Sequence, residues 1–149
     1  MEEFLTDGLR TLVETLPGVP TMVERTLRWP GHVEAIRPLL QEGRLVEELR
    51  ARCTADPPRD LVVLRVRVRR GDRMREVRLV DRYHAATGMT AMSRTTALTT
   101  SACAQLAASN RLAGPGVHPL ENVGRIQDRF EAIRSLLQAR GVRLEAVTA

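Results

Sequence analysis

The 149-residue chain contains no lysine; all 23 of its basic residues are arginine. It has only four residues of the Phe, Trp and Tyr type, and two cysteines. No apolar run approaches the roughly 18 residues of a membrane-spanning helix. Each shortage excludes something. An all-arginine formal charge of +5 reads more simply as a coding bias toward Arg and Ala than as selection for phosphate contacts. So few aromatics leave little on which bases could stack, so a nucleic-acid partner is not expected. Cys53 and Cys103 fall in separate helical patterns without metal-ligand spacing and read as reduced packing residues. His32, His84 and His118 share no helix face, which argues against a metal site. Met1-Glu2-Glu3 is the opposite of a basic leader, so a cytoplasmic location without a membrane partner is expected.

What remains is the composition of an ordinary globule, 43% hydrophobic and 28% charged, long enough to bury a core as one domain over 1–149. The charge excess is local. Residues 59–82 hold nine Arg and four acids, and carry the whole +5. That stretch reads as a hairpin: Leu61 to Arg70 and Arg73 to Arg82 flank Gly71-Asp72, a two-residue turn of the kind hairpins prefer. The register then sets Leu64 against Leu79 and Val66 against Val77 on an apolar face. On the other face Arg67 meets Glu76 and Arg65 meets Arg78. A solvated face with Glu76 shared between two arginines accounts for this pattern; an anionic partner is the alternative.

Periodicity supplies the other elements. Leu9, Leu12, Val13 and Leu16 mark one face of a short helix, with Thr6 or Asp7 as its cap. Alternation over 21–29 predicts a strand, broken by Pro30-Gly31. A helix follows to Gly43, with a kink or a short first segment expected at Pro38, and another begins at Leu45 and stops before Asp56-Pro57-Pro58. Met89 to Thr96 should extend before a small-residue helix at 97–110. The last helix carries a stripe of Ile126, Phe130, Ile133 and Leu137, all expected to be buried, and ends at Gly141 before a strand at 142–147. The expectation is an α+β fold: one mixed, largely antiparallel sheet of 21–29, 61–70, 73–82 and 142–147, with helices packed on one face.

No Gly-rich dinucleotide loop, Walker loop or nucleophile elbow is present. Residues alone therefore support a soluble α+β domain and little more. Four stretches in order nevertheless resemble the second domain of the saccharopine dehydrogenase and lysine 6-dehydrogenase family. They are FLTDGLRTL (4–12), TLRWPGH (26–32), VDRYHAATGMTAMSRTT (80–96) and GPGVHPLENVG (114–124). Trp29 replaces the family's usual Tyr, Ala97-Leu98-Thr99 stands where the family has Gly-Phe-Pro, and the segment between Gly43 and Asp60 is short.

The resemblance implies a substrate-binding and dimerisation domain of an NAD(P)-dependent amino-acid oxidoreductase, like the second domain of a two-domain dehydrogenase. The nucleotide-binding domain is expected to lie outside this chain, so no cofactor is expected in it and the isolated chain is expected to be inactive; NAD or NADP would serve the full-length enzyme. The implied partners are an amino-acid substrate and a second copy in a homodimer. The implied substrate contacts centre on Arg28, whose planar fork can grip a carboxylate, beside Trp29 as an apolar wall and free amides after Gly31. Asp7 reads first as a helix cap and second as a partner for the substrate ammonium. Arg94 either lines the pocket or pairs with Asp81. His32 reads as a helix-start residue. The alternative function is a free-standing amino-acid or partner binding module without the nucleotide domain; a third reading is a basic interaction protein.

Overall fold

A computed structural model describes residues 1–52, 60–112 and 114–147. The chain divides into two compact units, Met1–Ala55 and Asp56–Ala149. Cys53 and the expected break at Asp56-Pro57-Pro58 lie outside the described residues.

In the first unit β1 (Glu2–Leu5) pairs antiparallel with β2 (Arg25–Arg28), setting Glu2 opposite Arg28 and Phe4 opposite Thr26. The strand expected at 21–29 is only four residues long, because β1 pairs with it no further than Leu5 opposite Arg25. The expected helix at 9–16 shrinks to the single turn α1 (Leu12–Thr15), which starts after Thr11 with no side-chain cap. Thr6 does not cap it; its hydroxyl bonds to Glu24 instead.

Helix α2 (His32–Gln41) runs through Pro38 as one element, so the short first segment is not found. Proline removes one backbone donor there, and the residue one turn earlier, Glu34, is exposed, so water can serve its carbonyl. The helix ends as its glycine predicts. Gly43 takes φ +69°, its amide bonds to the Leu40 carbonyl, and the Arg44 amide bonds to that of Leu39, closing a Schellman turn. Helix α3 (Leu45–Arg52) follows. No described residue of this unit is fully buried.

The second unit holds a three-stranded antiparallel sheet in the order β3-β4-β5, from Leu61–Arg70, Arg73–Arg82 and Leu144–Val147. The hairpin register is the expected one, with Leu64 opposite Leu79 and Val66 opposite Val77. Helices α4 (Ala91–Ala108), α5 (Leu120–Gly124) and α6 (Gln127–Gln138) complete it. The core gathers Leu79, Leu137 and Val142, with Val62, Leu98, Ile133 and Leu144 packed around them. Val62, Leu79 and Leu144 belong to one face of the sheet, so the helices cover that face, but only at the base of the hairpin. Toward the turn Leu64 and Val66 on the same face stay 48% exposed.

The fold class is α+β, and every ladder between the described strands is antiparallel. The single sheet is corrected: β2 belongs to a separate two-stranded sheet. Residues 91–96 are also helical rather than extended. Thr90 caps α4 by accepting from the Ser93 amide, and the Asp60 carboxylate accepts from the amides of Ala91 at 2.7 Å and Met92 at 2.9 Å. Burial pushes the Asp60 carboxyl up, but the Met92 and Ala91 amides outweigh it and hold the group below the ordinary aspartate value. A carboxylate 31 positions upstream thus fixes where the helix starts. The stripe on the last helix is corrected too. Leu137 is buried and Ile133 half-buried, but Ile126 and Phe130 stay 42% and 40% exposed, because the core closes on the last turns of α6.

Candidate functional site

The strand-to-helix junction of the first unit borders a concavity of about 390 Å³. Alternation along β1 and β2 puts Phe4, Thr6, Thr26 and Arg28 on the face that meets α2. One side of that helix contributes His32, Val33, Ile36, Arg37 and Leu40, at the spacing of successive turns. All lining residues lie between positions 4 and 40, inside one unit. The volume suits a small metabolite. Its floor is apolar, and its polar groups are two guanidiniums, an imidazole and two hydroxyls. The His32 ring stands edge-on to Phe4 with centroids 6.0 Å apart, which fixes it against the strand.

Arg28 lines this concavity as the sequence expects. Its Nη1 donates to the Leu27 carbonyl at 3.0 Å, and among the described residues it makes no ion pair, so its remaining donors are available to an anion. Arg37 likewise makes no ion pair among the described residues. The expectation of free amides at Gly31 is overturned. The Gly31 amide donates to Glu2 Oε1 at 2.7 Å and the Val33 amide to Glu2 Oε2 at 3.0 Å. One carboxylate therefore straddles the start of α2, where dipole and free donors both favour negative charge. The Val33 amide, against the opposing effect of burial and with help from the Gly31 amide and His32, holds the Glu2 carboxyl below the ordinary glutamate value.

This carboxylate makes a pH prediction. A depressed carboxyl holds its contribution above the unfolded value and loses it as pH falls through the folded one. The Gly31 and Val33 amide resonances should therefore titrate together, with a midpoint below that of ordinary glutamate, and Glu2→Gln should abolish the step. Independent titration of the two amides in the wild-type chain would refute the shared clamp.

The other expected site residues lie elsewhere. Trp29 is 79% exposed and does not line the concavity. Asp7 neither caps a helix nor lines it; it pairs with Arg10 at 3.2 Å on the surface. Arg94 takes the second of its two alternatives: it is buried and pairs with Asp81 at 2.9 Å. Phe4, Thr6, Thr26 and Arg37 line the concavity although the sequence does not mark them as site residues, Thr6 reading there only as a helix cap. The i, i+4 spacing of Arg37 from Val33 was the available signal for that residue; the three strand residues needed the β1-β2 register. Among the described residues no group of three or more His, Cys, Asp and Glu could hold a metal ion, and no helix is long and apolar enough to cross a membrane.

The fold is thus an α+β one whose two-stranded sheet and α2 border a concavity lined by cationic and apolar side chains. The chain belongs to the saccharopine dehydrogenase C-terminal domain family, whose model matches residues 2–142 of its 149. It is thus a domain of the amino-acid dehydrogenase type, within the oxidoreductases of amino-acid metabolism. Comparison with curated proteins finds no match.

Proposed function

We propose that the chain is the substrate-binding and dimerisation domain of an NAD(P)-dependent amino-acid dehydrogenase, and that Arg28 holds a carboxylate of the amino acid. The observation that supports this reading is a guanidinium without a carboxylate partner among the described residues, at the rim of a small-molecule concavity. Arg37 supplies a second positive charge, Thr6 and Thr26 offer hydroxyls, and Ile36 and Leu40 suit the methylenes of a lysine-like chain. The start of α2 is closed to the ligand by Glu2, so the side-chain cations carry the recognition.

The described residues do not fit a nicotinamide dinucleotide. Dinucleotides sit where parallel strands feed helix N-termini, whereas each described ladder is antiparallel and the α2 amides are taken. In this reading the cofactor is held by a nucleotide-binding domain outside the chain. Homodimerisation is part of the same proposal, with the exposed Ala, Ser and Thr side chains of α4 allowing close backbone approach; sedimentation as a monomer at high micromolar concentration would count against it. One observation favours the alternative of an independent binding module: the whole lining of the concavity comes from a single stretch of chain.

Titration of the chain with L-lysine, L-glutamate and saccharopine, followed by NMR, tests the site. At least one should shift the resonances of Arg28, His32 and Arg37. Arg28→Ala should weaken that ligand by about 10- to 150-fold, the equivalent of roughly 1.5–3 kcal/mol for a charge-assisted bond. Arg28→Lys should recover only part, having lost the planar fork. Unchanged affinity in Arg28→Ala would end the proposal.

A further inference from the structure

The core of the second unit lies on one face of its sheet, whereas on the other face every residue of β3 and β4 but Glu76 is exposed. Strand alternation puts Leu61, Val63, Arg65, Arg67 and Arg69 of β3 there, against Arg82, Val80, Arg78, Glu76 and Met74 of β4. This face is divided by chemistry. At the base of the hairpin, Leu61, Val63 and Val80 are 46%, 58% and 55% exposed and form an apolar patch. Toward the turn, three arginines surround one buried carboxylate. Glu76 accepts from Arg65 Nε at 2.8 Å, Arg67 Nε at 3.1 Å and Arg78 Nε at 2.6 Å. These three cations share a single anion, and their side chains remain half exposed. The Arg65 bond, against the effect of burial, leads in holding the Glu76 carboxyl below the ordinary glutamate value.

Glu76 is saturated, whereas the guanidiniums are not. Among the described residues Arg65, Arg67 and Arg78 have no other ion-pair partner; Arg65 and Arg78 use Nε on Glu76 and Arg67 uses Nε and Nη2, so each guanidinium keeps further N–H donors. Arg69 and Arg82 add positive charge on the same face, against Glu145 of β5 beside Arg78. We propose that this face docks an acidic segment of another protein, one that carries apolar side chains at one end and carboxylates at the other. A second copy of the chain is a poor occupant, because it brings the same excess of cations in any register: Arg65, Arg67, Arg69, Arg78 and Arg82 stand on this face against Glu76, already shared by three arginines, and Glu145. Nucleic acid is also a poor occupant: the face has no aromatic ring for stacking, and its apolar patch would meet phosphate. Peptide carboxylates match the planar forks, which can take them bidentately.

The proposal does not depend on the Arg28 site, which lies in the other unit. Its test uses a synthetic 14-residue peptide with a Leu/Val half and a Glu half. The controls are the same peptide with Gln for Glu, and a single-stranded oligonucleotide. The acidic peptide should bind saturably at low salt, and about tenfold or more weakly once the Debye length is cut to about 3 Å. Its NMR footprint should cover Leu61, Val63 and Val80 and spare Arg28 and Arg37. Arg82→Glu, which leaves the Glu76 cluster intact, should weaken binding. Glu76→Gln, if circular dichroism shows it folded, should strengthen it by freeing three cations. Absence of saturable binding, equal binding of the Gln peptide, tighter binding of the oligonucleotide, or a footprint at Arg28 would each overturn the proposal.

Discussion

Arg94→Met is expected to destabilise the second unit by about 3–5 kcal/mol, the cost of breaking a buried ion pair from one side. Arg94 and Asp81 side chains are 7% and 10% exposed, so water cannot take the place of either partner. Arg94 Nε donates to Asp81 Oδ2 at 2.9 Å and Nη2 to Oδ1 at 3.4 Å, while Nη2 also donates to the Arg140 carbonyl at 3.1 Å. One side chain on α4 thus ties β4 to the end of α6. Methionine keeps much of the volume but strands the Asp81 charge and leaves the Arg140 carbonyl without this donor. The double variant Arg94→Met with Asp81→Leu should recover most of the loss, since replacing both members of a buried pair by apolar groups is often neutral or stabilising. Urea unfolding of the two variants measures this. A single variant as stable as the wild type would show that the pair does not hold these elements together.

Leu137→Ala should cost about 2–5 kcal/mol. Leu137 is only 5% exposed and packs in the cluster with Leu79 and Val142, where sheet, α6 and the turn after it meet. Its backbone carbonyl also accepts the Val142 amide at 3.0 Å, and Gly141 holds that turn at φ +80°. The side chain therefore sits where little can collapse into the space it leaves. Phe130→Ala on the same helix removes a larger group yet should cost less, because Phe130 is 40% exposed. Thermal or urea denaturation that ranked Phe130→Ala as the worse variant would place the core along the whole stripe instead of at its end.

The comparison of these two residues shows where reading by periodicity stops. Ile126, Phe130, Ile133 and Leu137 share a helix face by spacing alone, and spacing carries no information on how far a neighbouring layer extends. The hairpin behaved differently. Its turn is two residues long, so the register followed arithmetically, down to the sharing of Glu76 among arginines; the third of them, Arg78, joined from the next position but one on the same strand. Arg28 and the break after it were legible for the same local reason, a strand residue followed by Pro30-Gly31.

Sequence by itself determined the elements whose cause lies within a few residues: the hairpin and its register, the Schellman end of α2 at Gly43, the α+β class, and Arg28 at a junction. Its motifs in order determined the family. Only the tertiary structure decided which carboxylates are used. Glu2 reaches the amides of Gly31 and Val33, Asp60 starts α4, and Asp81 claims Arg94. It also decided that Phe4, Thr6, Thr26 and Arg37 join Arg28 around one concavity, whereas Trp29 and Asp7 do not. The reason is physical. Hydrogen bonds and turns between near neighbours depend on local conformation, which residue type biases directly, whereas a charge satisfied from 13 to 31 positions away depends on which elements pack together, and that choice belongs to the folded chain as a whole.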